Sequence, residues 1–251
     1  MPTRPVEIIG HRGASVAAPE NTLAAINLAW KWGADAVEID VHLTRDRQVV
    51  AIHDDSLVRT SQAEVFIKDL TLNELRAYDV GTWKFPQFKG ERVPTLCDVI
   101  ATIPPGKRLY VELKCGPEVL EPLSDVLVSV RERPESVVLI GFDPKLMPAA
   151  KQRCSAHRVF QVVEQTQQST GSWTPTIAEI ITHCVQHGLD GADLSNTLAV
   201  DRAAVDQLKA AGLSVCIWTV NSLTDARRLA SAGVDSLTTD DPRLLLAEFG
   251  N

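Results

Sequence analysis

A TIM-type (β/α)8 barrel with a small insertion after its second strand is the architecture this sequence predicts. Three observations carry that reading. Short apolar stretches alternate with helical patterns from one end of the 251 residues to the other. Eight such stretches remain once a hairpin return strand is set aside, the number that closes a parallel barrel. No glycine-rich dinucleotide turn follows the first strand, which argues against an open doubly wound sheet. The length suits one barrel domain over residues 1–251.

The elements follow in order. Residues 6–10 are an apolar strand that runs into the loop His11-Arg12-Gly13. Leu23, Ile26 and Trp30 recur at helical spacing, so a helix is predicted over 21–32. Asn21 is at its N-cap or within one residue of it, and Gly33 lies near its end. Residues 36–43 form the second strand. The turn at 45–48 is too short for a crossover, so 49–53 returns antiparallel. From about 54 to 95 the rhythm breaks. Phe66, Trp83, Phe85 and Phe88 fall there with a short helical pattern at 71–78, which predicts an insertion over one end of the barrel. The later strands are expected at 109–114, 137–142, 158–163, 191–194, 214–219 and 236–239. Helices are expected near 96–103, 117–133, 144–153, 176–187, 201–211 and 223–232.

Composition narrows the function. A formal charge of −7 disfavours a nucleic-acid or anionic-membrane surface. No apolar run reaches the length of a membrane span, and Met1-Pro2-Thr3-Arg4-Pro5 has none of the marks of a secretory signal. Five cysteines without paired spacing suggest neither a disulfide framework nor a zinc site, so reduced thiols and a cytoplasmic location are expected. The composition leaves the oligomeric state open.

The chemistry is signalled by two strands that carry charge where a core belongs. Side chains alternate faces along a strand, so Glu38 and Asp40 share one face while Val37, Ile39 and Val41 share the other. Glu112 and Lys114 repeat the pattern opposite Val111 and Leu113. Buried unpaired carboxylates are costly, so three of them beside an ammonium imply a bound cation next to a bound anion. An all-oxygen set of Glu38, Asp40 and Glu112 suits a hard divalent cation such as Mg²⁺, Ca²⁺ or Mn²⁺. His11 and His53 are the candidate acid and base, since imidazole exchanges protons near neutrality. Arg12 and Lys114 are the candidate phosphate binders, and Trp218 is either an apolar wall for substrate or a core-packing residue. A salt bridge from Arg12 to a site carboxylate is compatible with that role. Asp240 and Pro242 are read as structural, fixing the last strand-to-helix turn. In a barrel of this kind every one of these positions lies at the C-terminal rim of the strands.

The motifs resemble those of the glycerophosphodiester phosphodiesterases, within the wider phospholipase-C-like barrel phosphodiesterases. They are Gly10-His11-Arg12-Gly13, Pro19-Glu20-Asn21-Thr22, Glu38-Ile39-Asp40, His53-Asp54, Val93-Pro94-Thr95-Leu96, Glu112-Leu113-Lys114, Trp218-Thr219-Val220-Asn221 and Thr239-Asp240-Asp241-Pro242. The resemblance implies Glu38, Asp40 and Glu112 as metal ligands, His11 and His53 as acid–base residues, and Arg12 and Lys114 as phosphate binders. It implies that the 54–95 insertion covers the glycerol end of the site. The expected reaction is hydrolysis of a small glycerophosphodiester to glycerol 3-phosphate and an alcohol, with a lysophospholipase D-like lipid phosphodiesterase as the alternative. A binding module without turnover would lack a histidine or a carboxylate of the set, and none is missing. Two departures bear on substrate preference. Ser61-Gln62-Ala63-Glu64 stands where a glycine-containing turn is usual, and Cys97 where an acidic or polar residue is usual.

Overall fold

The computed structural model describes residues 5–250, so the reading of residues 1–4 lies outside the described residues. The strands are β1 (Glu7–Gly10), β2 (Ala36–Leu43), β3 (Val49–Ala51), β4 (Arg108–Leu113), β5 (Val137–Gly141) and β6 (Arg158–Val163). Next come β7 (Thr166–Gln167), β8 (Trp173–Thr174), β9 (Gly191–Ser195), β10 (Ser214–Trp218) and β11 (Ser236–Thr239). Eight of them pair in parallel in the order β1-β11-β10-β9-β6-β5-β4-β2, and β1 pairs with β2 through Ile9↔Ala36 and Gly10↔Val37. That last ladder closes the barrel. β3 hangs on the outside as the antiparallel partner of β2, through Val41↔Ala51 and Leu43↔Val49.

Strand alternation divides the barrel into two apolar layers. Outward residues such as Val37, Ile39 and Val41 join the helices in one continuous core with Ile26, Ala29, Leu123, Met147, Leu208 and Leu229. Inward residues Ile9, Tyr110, Val138, Ile140, Phe160, Val162 and Cys216 fill the bore. Gly191 makes room for the largest of these, since a Cβ there would lie 2.8 Å from the Phe160 ring and 2.8 Å from the Ser214 carbonyl oxygen. This packed layer is the floor on which the charged rim stands.

Strand boundaries and most helices fall within one or two residues of expectation, and the differences have local causes. The first helix is Leu23–Trp32, with Thr22 rather than Asn21 as N-cap, its hydroxyl accepting from the Ala25 amide at 3.3 Å. The expected helix over 117–133 is instead a 3-10 turn, the α-helix Leu120–Leu127 and a second 3-10 turn. Pro117 opens the first turn, and the β-branched Val126, Val128 and Val130 favour helix poorly. The β7–β8 hairpin was not anticipated, being two residues a side and largely exposed.

The insertion has its own small core of Val50, Ile52, Leu57, Ile67, Leu75, Val80 and Val93. Its 71–78 helical pattern forms as Leu72–Leu75, started by a capping box between Thr71 and Glu74. Gln62 holds a left-handed φ of 56° at the end of the helix Val58–Ser61, the conformation glycine adopts most readily. A second capping box, Thr95 with Asp98, opens the helix Leu96–Ile100 and leaves Cys97 exposed. Among the described residues no helix is long and apolar enough to cross a membrane.

Candidate active site

The candidate catalytic, phosphate-binding and metal-ligating residues meet around one cavity of about 220 Å³ at the C-terminal rim; all of them line it but Asp40, whose carboxylate lies within 4.8 Å of those of Glu38 and Glu112. Its charged wall is His11, Arg12, Glu38, His53, Glu112 and Lys114. Its apolar wall is Ile140, Phe142, Val162 and Trp218.

The loop after β1 brings Arg12 in by an unusual backbone path. Arg12 has φ +54° and Gly13 φ +85°. A Cβ on Gly13 would sit 2.5 Å from the Ala25 carbonyl carbon, so glycine lets this loop lie against the first helix. The Arg12 amide donates to Glu38 Oε2 at 3.0 Å, and its carbonyl accepts from the Asn21 amide at 3.1 Å. Those two bonds hold a conformation that costs a non-glycine residue about 1–3 kcal/mol.

Glu38 and Asp40 on β2 and Glu112 on β4 each offer an oxygen within 4.8 Å of the others. The register Asp40↔Glu112 sets two of them side by side. Glu38 is 3% exposed and Asp40 0%, and Glu38 Oε1 and Asp40 Oδ1 have no hydrogen-bond partner. Burial, then the charges of Asp40 and Glu112, raise the Glu38 acid well above the usual carboxylate range. Burial and Asp40 raise Glu112 as well. Burial alone would raise Asp40 too, but Arg12, His53, Asn21 and Lys114 together hold it low. Two orphaned buried oxygens within an all-carboxylate donor set fit a hard divalent cation.

The cations of the site are already engaged. Arg12 Nε lies 3.1 Å from Asp40 Oδ2, and its NH1 donates to Glu20 Oε1 at 3.0 Å. Lys114 Nζ lies 3.0 Å from Glu112 Oε1, 3.7 Å from Asp40 Oδ1 and 3.3 Å from His53 Nε2.

Each histidine is backed by a carboxylate. His11 Nδ1 is 2.6 Å from Asp240 Oδ1, and His53 Nδ1 is 2.7 Å from Asp54 Oδ1. In both rings an Nδ1–H donating to the carboxylate leaves Nε2 for chemistry. Burial would raise Asp240, but bonds from His11, Asn221 and Ser15 hold it down at about 2, so it is charged at any working pH. His42 Nε2 lies 3.0 Å from the His53 carbonyl and so braces the end of the return strand.

The supporting residues were the least visible in the sequence. Asn21 clamps Asp40, donating from Nδ2 to Oδ2 at 2.9 Å and accepting the Asp40 amide on Oδ1 at 3.0 Å. Glu20 receives both Arg12 and, through two bonds of 2.8 Å, Arg59 of the insertion. Arg59 Nε reaches Asp54 at 2.7 Å. A continuous chain thus runs Arg12–Glu20–Arg59–Asp54–His53. Glu20, Asn21, Asp54 and Asn221 belong to the quoted motifs, but apart from the His53–Asp54 pair their partners lie on other elements. Trp218 lines the cavity, its ring edge-on to Phe142 at 5.4 Å.

A parallel barrel whose rim gathers carboxylates, phosphate-sized cationic groups and two carboxylate-backed imidazoles defines a barrel hydrolase of phosphate esters. Residues 11–244 match the glycerophosphoryl diester phosphodiesterase family, and the chain belongs to it and is an enzyme of that kind. It is 34% identical over 250 residues to a putative glycerophosphodiester phosphodiesterase of Bacillus subtilis, covering 96% of this chain and 97% of that one. It is 27% identical to a human lysophospholipase D, over 94% of this chain and 84% of the relative. Among solved structures, an Oleispira antarctica phosphodiesterase in complex with the product sn-glycerol-3-phosphate superposes with a TM-score of 0.85 at 28% identity, covering 98% and 97% of the two chains. Enzymes of this family are generally dependent on a divalent metal, and the acidic trio is a site that could hold one.

Proposed function

We propose that the chain hydrolyses glycerophosphodiesters to glycerol 3-phosphate and an alcohol, with a divalent cation held by Glu38, Asp40 and Glu112 and with His53 and His11 as base and acid. The observation that carries this reading is the pair of carboxylate-backed imidazoles flanking a cationic pocket beside two orphaned carboxylate oxygens. The product complex of the Oleispira relative supports glycerol 3-phosphate as the product. Mg²⁺, Ca²⁺ and Mn²⁺ all suit the donor set, and when bound such a cation supplies positive charge to the phosphate oxygens.

The chain's own residues do the rest. Arg12 presents a planar fork to the phosphate and Lys114 a point charge, together neutralising the oxygens as charge redistributes. His53 Nε2 lies 3.3 Å from Lys114 Nζ, and once the phosphate draws that ammonium away its lone pair can take the proton of the attacking hydroxyl. His11, held by Asp240, gives a proton to the departing alkoxide. The attacker is water or the glycerol 2-hydroxyl, and capture of a cyclic phosphate distinguishes them. Trp218 and Phe142 wall the substrate's carbon skeleton. The insertion stands on the charged side of the site, where Arg59 ties it to Glu20 and so to Arg12. Small phosphodiesters, a cytoplasmic setting and a place in glycerol and lipid metabolism complete the reading, the setting supported by five free thiols.

A diester with an activated aryl leaving group tests the histidine roles, because such a group departs without an acid. His11→Ala should recover most of its lost turnover on the aryl substrate, and His53→Ala should not. Equal loss in both variants on both substrates refutes the assignment.

One observation favours a second substrate. A groove of about 440 Å³ lined by Phe142, Pro144, Val162, Pro175 and Ile180 opens beside the site and shares Phe142 and Val162 with it. It could take the acyl chain of a lysophospholipid, the substrate class named for the human relative. Turnover of glycerophosphocholine against lysophosphatidylcholine decides between them.

A further inference from the structure

Beside the apolar wall of the cavity stands an acidic side chain with no assigned role. Asp193 lies on β9, in register with Val162 of β6 and Cys216 of β10, and faces the bore with them. It is 3% exposed and lines the cavity among Ile140, Val162 and Trp218. Its Oδ1 is buried without a hydrogen-bond partner. Trp218 Nε1 passes close by but donates to the Asp193 main-chain carbonyl at 3.2 Å, leaving the carboxyl alone. Among the described residues no donor reaches Oδ1, and no Arg or Lys pairs with the carboxyl.

Such a group is a liability to the fold. Neighbours at this level of the bore are satisfied as hydrocarbon, and a valine or leucine would fill the same space without an unmet carboxyl. Burial, then the Glu112 charge, push its acid up to about 8. A partner must therefore come from what enters the cavity. Phosphate is excluded by sign, and by the wall opposite, where Arg12 and Lys114 stand. A hydroxyl suits the place, because it can donate to a carboxylate or accept from a carboxylic acid and so bonds Asp193 in either state.

We propose that Asp193 binds a free hydroxyl of the substrate's glycerol and makes the enzyme select glycerol esters over plain alkyl esters. The inference rests on the glycerophosphodiester reading given above. Its location fits that reading: a phosphate held at the charged wall leaves its carbon chain against Trp218 and Phe142, with Asp193 the one carboxyl on that side among the described residues. A site built around a hydroxyl rejects an analogue lacking it, because the buried polar group is then left unpaired.

The test measures binding of sn-glycerol 3-phosphate and of n-propyl phosphate to the full chain with a divalent ion present, alongside turnover of a glycerophosphodiester. Wild type should bind glycerol 3-phosphate about 10- to 100-fold more tightly than propyl phosphate. Asp193→Leu should close that gap while keeping propyl phosphate affinity, and Asp193→Asn, which retains a donor and an acceptor, should keep much of it. Asp193→Ala serves if the leucine variant does not fold. A gap that persists in the leucine or alanine variant, or is missing from wild type, overturns the assignment. So does a loss of divalent-ion affinity in place of the gap, which would give the carboxyl to the cation. Failure of the wider reading looks different: wild type would then bind neither phosphate and turn over no diester.

Discussion

Divalent ions should stabilise this protein strongly, and Glu38→Gln should erase the effect. Glu38, Asp40 and Glu112 offer oxygens within 4.8 Å of one another, and Glu38 Oε1 and Asp40 Oδ1 are buried without a hydrogen bond. At that spacing a pair of like charges repels by about 3–4 kcal/mol for an effective dielectric near 20, which Arg12 and Lys114 offset in part. An ion at a hundred times its dissociation constant adds about 2.7 kcal/mol to the folded state. For a domain of this size each kcal/mol moves the melting temperature by about 2–4 °C, so the expected rise is about 5–10 °C. The pH dependence has a definite sign. Glu38 and Glu112 have acids raised in the folded state, so the ion-free protein keeps its stability at low pH and loses it as pH rises through those raised values. The ion-dependent rise should accordingly grow as pH increases. Glu38→Gln keeps the shape and removes a charge, so its ion-free melting temperature should exceed that of wild type while the rise with Mg²⁺, Ca²⁺ or Mn²⁺ falls below about 2 °C. Thermal melts followed by circular dichroism, with chelator or with each ion, give both numbers. A full ion-dependent rise in Glu38→Gln, or none in wild type with any of the three ions, refutes the reasoning.

Three further outcomes follow from particular contacts. Asp240→Asn keeps the length but not the charge that faces His11 at 2.6 Å, and kcat should fall about 100-fold with phosphate binding spared; steady-state kinetics and a product-binding titration separate the two. Asp193→Leu removes an unpaired buried acid, so it should melt above wild type. Because that acid is pushed up to about 8, the wild type loses stability as pH rises through that value, and the difference should be larger at pH 9 than at pH 6. Gly191→Ala places a methyl 2.8 Å from the Phe160 ring and from the Ser214 carbonyl, and overpacking should cost about 1–3 kcal/mol, read as a melting temperature lower by several degrees.

Much of this was legible in the residues because alternation along a strand is a local property. Val37-Glu38-Ile39-Asp40 announces both a strand and its two faces, and β2 forms over the expected 36–43. The same logic recovers β4 and the meeting of Glu112 with Asp40. What stayed hidden depends on partners distant in the chain. Asn21 reads as an N-cap from its neighbours, yet its side chain is spent on Asp40, nineteen positions away, and Thr22 takes the cap. Asp240 reads as part of a turn, and only closure of the barrel through β11 and β1 carries it to His11. Asp193 gave no signal at all. It sits in Gly-Ala-Asp-Leu-Ser, where a single acid within a short strand resembles many others, and its isolation is visible only once the bore closes around it.

β3 stands outside the ring of paired parallel strands, yet the segment leaving it delivers His53. One imidazole is therefore anchored to the barrel's own wall through β1, and the other to an appendage joined by one ladder to β2 and by side-chain contacts such as Arg59 with Glu20 and Arg45 with Glu74. Changes in the appendage's length or sequence can shift how the two rings face each other without reopening the cylinder. Divergence in reactivity among proteins of this build is then free to accumulate in that one segment while the acidic trio stays put.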